Sequence, residues 1–213
     1  MKKLIIIGAS GQGKVVADIA RLNGYEEIVF LDDNPNVHSC LGYPVLGPNS
    51  ILEDVAGDVF VAIGNSKIRK ELMEQYGDRC FATLVHPNAV IAEGVKIGNG
   101  SVVMAGAIVC PEVEIGIGCI LNTACSVDHD CIIGDYCHVA VGTHLCGTVT
   151  VGSGTWVGAG AIISNNIDIC KNAMIGAGAV VVKNIETNGT FVGVPAKELH
   201  NDMEIRGGVS PKD

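Results

Sequence analysis

The sequence predicts an α/β N-terminal Rossmann-like domain followed by a parallel β-helix built from hexapeptide repeats. Three observations carry this prediction. Aliphatic residues recur at every sixth position from Val85 to Val181, a period that neither an α-helix nor an alternating strand produces. Residues 1–84 lack that repeat and read strand, glycine turn, helix, strand, acid. Aromatic residues make up only 4% of the chain, beside 28 glycines, so the core must be built from small aliphatic side chains.

The first domain reads in order. "KKLIII" is a buried strand, and "GASGQG" (Gly8 to Gly13) is a glycine turn. "KVVADIARLNG" is a helix with Val15, Val16, Ile19 and Ala20 as its apolar residues, stopped by Gly24. "EIVFLDD" is a second strand ending in Asp32 and Asp33, and "DVFVAIGN" a third ending in Gly64 and Asn65. "SKIRKELMEQYG" closes the domain as a helix with Ile68, Leu72 and Tyr76 on one face. A turn of this kind points backbone N–H groups and a helix N-terminus at a phosphate. Its residues Gly8, Ser10, Gly11, Gln12 and Gly13, with the strand ends Asp32, Asp33, Gly64 and Asn65, are the candidate nucleotide-sugar contacts. NAD binding is one reading of the turn and Asp32. A domain this short makes only a mononucleotide half, so a nucleoside diphosphate carrying a sugar fits better. The bland alternative is that the glycines merely pack helix on strand.

Residues 85–190 form the repeat domain. A second lane of mostly small residues follows each aliphatic by four positions, and Cys119, Cys125, Cys131 and Cys137 belong to it. Short strands joined by turns, three hexapeptides to a coil, give a triangular prism, and the pattern resembles the left-handed parallel β-helix. Residues 85–185 make about five and a half coils, roughly 25 Å at the spacing of paired strands. The four cysteines are therefore expected to be buried fillers rather than ligands. Cys110, Cys146 and Cys170 get the same reading, and no metal is expected. Residues 191–213 are a closing segment and tail, polar from His200 onward.

Composition narrows the partners. A net charge of -9 without a basic cluster argues against nucleic acid. No apolar run reaches the roughly 18 residues of a membrane span. Nine cysteines without a secretory segment are expected to be reduced thiols in the cytoplasm.

His129 stands two positions after the aliphatic Val127, in a corner of the prism, with Asp130 beside it. An imidazole titrating near 6.5 accepts a proton at neutral pH, and a flanking carboxylate raises its basicity and fixes its tautomer.

The segments "GASGQGKVV", "FLDD", "VAIGN", "NTACSVDHDCIIGDYCHVAVGTHLCG" and "FVGVPAKEL" together resemble the bacterial sugar O-/N-acyltransferases of the PglD and NeuD type. That family includes UDP-4-amino-sugar N-acetyltransferases of bacillosamine synthesis and sialic acid O-acetyltransferases. The resemblance implies acetyl transfer from acetyl-CoA to the 4-amino group of a nucleotide-linked, UDP-type sugar, directly and without an acetyl-enzyme. It implies that His129 is the general base, with Asp130, Asn122 and His138 around it. Gly147 would offer a backbone N–H to the thioester carbonyl, and Asp32 and Asp33 would hold uridine. It also implies a homotrimer with CoA and the active sites between subunits. Lys183 or Lys197 would meet CoA phosphates. The sequence departs from the family's G-x-x-G-H-G turn at Gln12, which is uncharged where the family carries histidine.

Three other readings compete. A sugar O-acetyltransferase of the sialic acid type shares much of this pattern. A zinc β-helix enzyme of the carbonic anhydrase kind needs a different histidine spacing from the 9 and 6 residues that separate His129, His138 and His144. A β-helix that only binds a nucleotide sugar would need none of the acetyl-transfer residues.

Overall fold

The computed structural model describes residues 2–199. The first domain is a three-stranded parallel sheet. Its elements are β1 (Lys3–Ile7), α1 (Gly11–Leu22), β2 (Glu27–Leu31), the small hairpin β3 (Ser39–Cys40) and β4 (Tyr43–Pro44), β5 (Asp58–Val61) and α2 (Ser66–Gln75). The strand order is β2-β1-β5, with β1 in register against Glu27–Leu31 on one side and Asp58–Val61 on the other. As in any strand, alternate residues face opposite ways. Leu4 and Ile6 pack with Val16, Ile19 and Ala20 of α1, while Ile5 and Ile7 pack with Leu52, Met73 and Tyr76.

Two readings of the helices change. The first helix begins at Gly11, so two turn glycines lie inside it. Gly13 is required there, because a β-carbon would collide with the Gly8 carbonyl and reach the Phe30 ring. Val15 is largely exposed, and Ala17 takes its place in the core. In α2 the buried stripe is Arg69, Met73 and Tyr76 rather than Ile68, Leu72 and Tyr76. Ile68 is 44% exposed. Tyr76 is buried as expected, but the two preceding positions are displaced by one residue because this helix packs against the β-helix and inserts a charged side chain there.

The repeat domain is the parallel β-helix that the hexapeptides predict. Two-residue strands begin at Leu84–Val85 and recur every six residues to Val180–Val181. Each pairs in parallel with the strand 18 residues away, giving three faces. The first face carries Val102–Val103, Ile120–Leu121, His138–Val139 and Trp156–Val157. The second carries Ile108–Val109, Ser126–Val127 and His144–Leu145. The third carries Glu114–Ile115, Ile132–Ile133 and Thr150–Val151. The aliphatic lane points inward with the small lane, and Cys119, Cys125, Cys131 and Cys137 are fully buried in one continuous core. Corner geometry separates two kinds of glycine. Gly98, Gly116 and Gly134 have no room for a side chain against the next coil, whereas positive φ falls two residues later, as at Gly100 and Gly118. Asp130 occupies one of these left-handed positions, with φ of 57°.

The two domains share a buried junction. Outward residues of the first face, Val102, Met104 and Ile120, join the core of the first domain. The Asn23 side chain donates to the Val85 carbonyl at 2.8 Å and accepts from the Val85 N–H. The chain ends its described part with strands Thr190–Val192 and Lys197–Glu198, an antiparallel pair added to the first face. The tail from His200 lies outside the described residues.

Candidate active site

The candidate residues form two clusters rather than one. His129, Asp130 and Gly147 gather at the corner between the second and third faces. His129 Nδ1 lies 2.7 Å from Asp130 Oδ2, and the His129 N–H donates to Asp128 Oδ1 at 2.8 Å. With Nδ1 carrying the proton toward the carboxylate, Nε2 is left to accept one. The Asp130 hydrogen bond, opposed by burial and helped by the charges of Asp128 and Asp130, raises the His129 pKa above its usual value. The imidazole is exposed, with 58% of its side-chain surface in solvent. Gly147 lies one coil on. A β-carbon there would sit 2.7 Å from both Cε1 and Nε2 of His129. Its carbonyl accepts from the Asn166 N–H, and among the described residues its own N–H has no partner.

Asn122 and His138 form the second cluster, on the first face and the corner that follows it. Asn122 Nδ2 lies 3.1 Å from His138 Nε2. The His138 ring is only 5% exposed and packs on Trp156, with ring centroids 4.1 Å apart. Burial, reinforced by the nearby Arg69 charge, pushes its pKa down to about 4, so it is neutral at physiological pH. Its Nδ1 is buried and has no hydrogen-bond partner among the described residues.

A shallow groove of about 230 Å³ runs along the second face beside the first cluster, lined by Cys110, Ser126, Val127, Asp128, His144, Leu145 and Cys146. His144 Nδ1 lies 2.7 Å from Ser126 Oγ. Cys110 and Cys146 are therefore groove residues, and Cys170 is also half-buried, unlike the fully buried fillers that their sequence positions predict. Their side chains come one position after an inward aliphatic and so stand at the corner. Only Cys119 and Cys137, 18 residues apart, stack on one face. No group of three or more metal-binding side chains gathers among the described residues.

In the first domain Ser10 is the N-cap of α1 but makes no side-chain cap bond. Asp32 accepts from the Ala9 N–H at 2.8 Å and the Asn34 N–H at 2.9 Å, tying the second strand to the glycine turn. Asp33 accepts from both the backbone and side-chain nitrogens of Asn49, each at 2.8 Å. Asn65 caps α2 through Lys67 N–H and Ile68 N–H. Gln12 Nε2 is buried and unpartnered. Gly8 shapes the turn at a φ of 101°, whereas Gly11 and Gly13 lie in the first turn of α1. At the far end of the prism Lys183 and Lys197 both line a cleft of about 290 Å³, with Phe191 and Pro195. Sequence reasoning missed Arg69 and Trp156. The stripe of Arg69, Met73 and Tyr76 at helical spacing was the available signal for the arginine.

Known proteins share this fold. Residues 3–76 match the PglD N-terminal domain family. The UDP-N-acetylbacillosamine N-acetyltransferase of Bacillus subtilis is 34% identical over 113 residues, which span 49% of this chain and 52% of that protein. The chain thus aligns with about half the length of that curated relative. The acetyltransferase domain of PglB from Neisseria gonorrhoeae superposes with a TM-score of 0.90 at 40% identity, covering 93% of this chain and 100% of that one. The same domain is known in complex with acetyl coenzyme A. PerB from Caulobacter crescentus, in complex with CoA and GDP-perosamine, gives a TM-score of 0.89 at 33% identity over 94% of this chain and 98% of that one. Among the described residues no helix is long and apolar enough to cross a membrane. Matched from its glycine turn to its last coil, the chain belongs to the PglB- and PglD-type sugar acetyltransferase family.

Proposed function

We propose that this chain transfers an acetyl group from acetyl-CoA to the 4-amino group of a nucleotide-linked deoxy sugar, with His129 as general base. The observation that carries the reading is the contact of His129 with Gly147. It sets a proton acceptor beside a backbone N–H that is free to meet a developing oxyanion. Asp130 holds the Nδ1 proton, so Nε2 takes a proton from the attacking amine. The amine adds to the thioester carbonyl, the C–S bond breaks, and CoA leaves as thiol once protonated. Amine and thioester meet directly, so no acetyl-enzyme is needed.

The homotrimer implied by the family fits the separation of the two clusters. His129, Asp130 and Gly147 on one copy would face Asn122 of an adjacent copy across the interface, with the buried His138 behind it. The Lys183 and Lys197 cleft would take CoA phosphates, and the glycine turn with Gln12 the sugar diphosphate. A UDP group is our preferred nucleotide. GDP is the alternative, because PerB is seen with GDP-perosamine.

A mass-spectrometric screen decides substrate and acceptor together. Acetyl-CoA is supplied with UDP-, GDP- and dTDP-linked 4-amino sugars and with free sialic acid. A gain of one acetyl group on a nucleotide 4-amino sugar is expected. Acetylation of sialic acid alone would replace this reading with the O-acetyltransferase one, and no turnover with any acceptor would overturn it.

A further inference from the structure

Arg69 is the largest fully buried side chain among the described residues and carries a charge. Burial brings its pKa down to about 10, so it remains a cation at neutral pH. Among the described residues no carboxylate pairs with it. Its guanidinium instead donates to main-chain carbonyls on both sides of the domain junction. Nη1 reaches Ile63 at 2.7 Å and Gly64 at 2.8 Å in the first domain. Nε reaches Gly118 at 2.6 Å and Nη2 reaches Tyr136 at 2.8 Å in the β-helix, with a longer contact to Cys137 at 3.5 Å. Ser66 adds one more link, from its Oγ to the Gly154 carbonyl at 3.2 Å.

A desolvated cation is costly, and a well-packed apolar side chain often serves stability as well or better. What an apolar residue does not supply is direction. The fork-shaped guanidinium fixes the angle and spacing of the carbonyls that it holds. Those carbonyls belong to the loop that ends the third strand of the first domain and to the coils flanking His138. The Gly64 backbone whose carbonyl Arg69 engages also acts on the His138 imidazole, opposing the fall in its pKa. Trp156, stacked on His138, lies 4.0 Å from where a Gly64 side chain would begin.

We infer that Arg69 is a positioning residue for the acetyl transfer. Acting through the backbone of Ile63 and Gly64, it sets the first domain, proposed to hold the sugar, at a fixed distance from His138 on the first face of the prism. This rests on the proposed assignment of sugar to the first domain and acetyl-CoA to the prism. Arg69→Lys keeps the charge but not the fork, and Ser66→Ala removes the second link without leaving a buried cation. Thermal melting establishes that each variant is folded. Kinetics are run with whichever nucleotide 4-amino sugar the wild type acetylates, and acetyl-CoA binding is measured by calorimetry.

The expected result for Arg69→Lys is a fall of about tenfold in kcat/KM for the sugar nucleotide, the scale of one lost charge-assisted hydrogen bond. The dissociation constant for acetyl-CoA should stay within about twofold, a split that general loosening would not produce. Ser66→Ala should shift the same parameter in the same direction by a smaller factor, and it serves alone if Arg69→Lys fails to fold. Sugar kinetics unchanged in the folded variants, or acetyl-CoA binding weakened equally, would overturn the inference. A wild type that acetylates no nucleotide sugar would instead overturn the functional reading beneath it.

Discussion

Gly147 leaves open the space that the His129 ring fills: a β-carbon at 147 would stand 2.7 Å from His129 Nε2. The two residues are one full coil apart, so the β-helix itself brings them together. Gly147→Ala should therefore push the imidazole aside while the coil stays paired, because the displaced group is an exposed side chain. A shift of this kind costs on the order of 10²-fold in turnover. Steady-state kinetics alongside an unchanged melting temperature would check it.

His129→Ala removes the proposed base outright. Loss of about 10²–10⁴-fold in kcat is expected, with stability almost untouched because the ring is exposed. Wild-type turnover in a folded His129→Ala protein would sink the base assignment.

Asp130→Asn tests the pair. The proposed mechanism needs His129 unprotonated, so activity is expected to rise with pH through its pKa. Asp130 holds that pKa above the usual value. Removing the carboxylate should move the acid limb of the pH–rate profile to lower pH, while the reduced basicity lowers the plateau. An acid limb that does not move would separate Asp130 from the titration.

His138 predicts a pH-dependent stability of its own. Its folded pKa of about 4 lies below the unfolded value near 6.5. The unfolded chain therefore binds the extra proton between those values. Stability from this group is complete above pH 6.5, falls as pH drops, and levels off below about 4, a loss of about 3 kcal/mol in all. In urea titrations at pH 7 and pH 4.5, His138→Gln should show a smaller drop than the wild type.

Thiol chemistry should sort the nine cysteines by position. Burial pushes the Cys125 pKa up to about 12 and also raises that of Cys131. In the native protein Cys80, which is exposed, should be alkylated first, and the five buried thiols only after denaturation. Peptide mapping after timed labelling reads the order. Early labelling of Cys125 or Cys131 would contradict their packing in the prism.

The repeat was legible in the sequence because every coil imposes the same demand. A period of six marks the inward lane, and the cysteines fall into its small-residue companion. The identity of the site residues came from motif resemblance, and their partition into two clusters did not. Nine residues separate His129 from His138, half of an 18-residue coil, which turns them away from each other, whereas the 18 residues from His129 to Gly147 stack them. Local propensity also failed on α2. Ile68 and Leu72 look like a core stripe, but the helix is rotated so that Arg69 reaches carbonyls of a domain whose position no local pattern reveals. Similarly, Asp32 and Asp33 were visible as acids at a strand end, but their bonds to Ala9, Asn34 and Asn49 depend on how the loops close.

The strands at Thr190–Val192 and Lys197–Glu198 carry a last consequence. A stack of parallel rungs ends in unpaired backbone, a template on which another molecule can add and propagate into a filament. Here Thr190–Val192 covers Met174–Ile175, and Val180 exchanges backbone bonds with Gly193 and Ala196. The antiparallel return of Lys197–Glu198 then breaks the parallel pattern. The segment that closes the last coil of the prism thus covers the rungs on which a filament would otherwise grow.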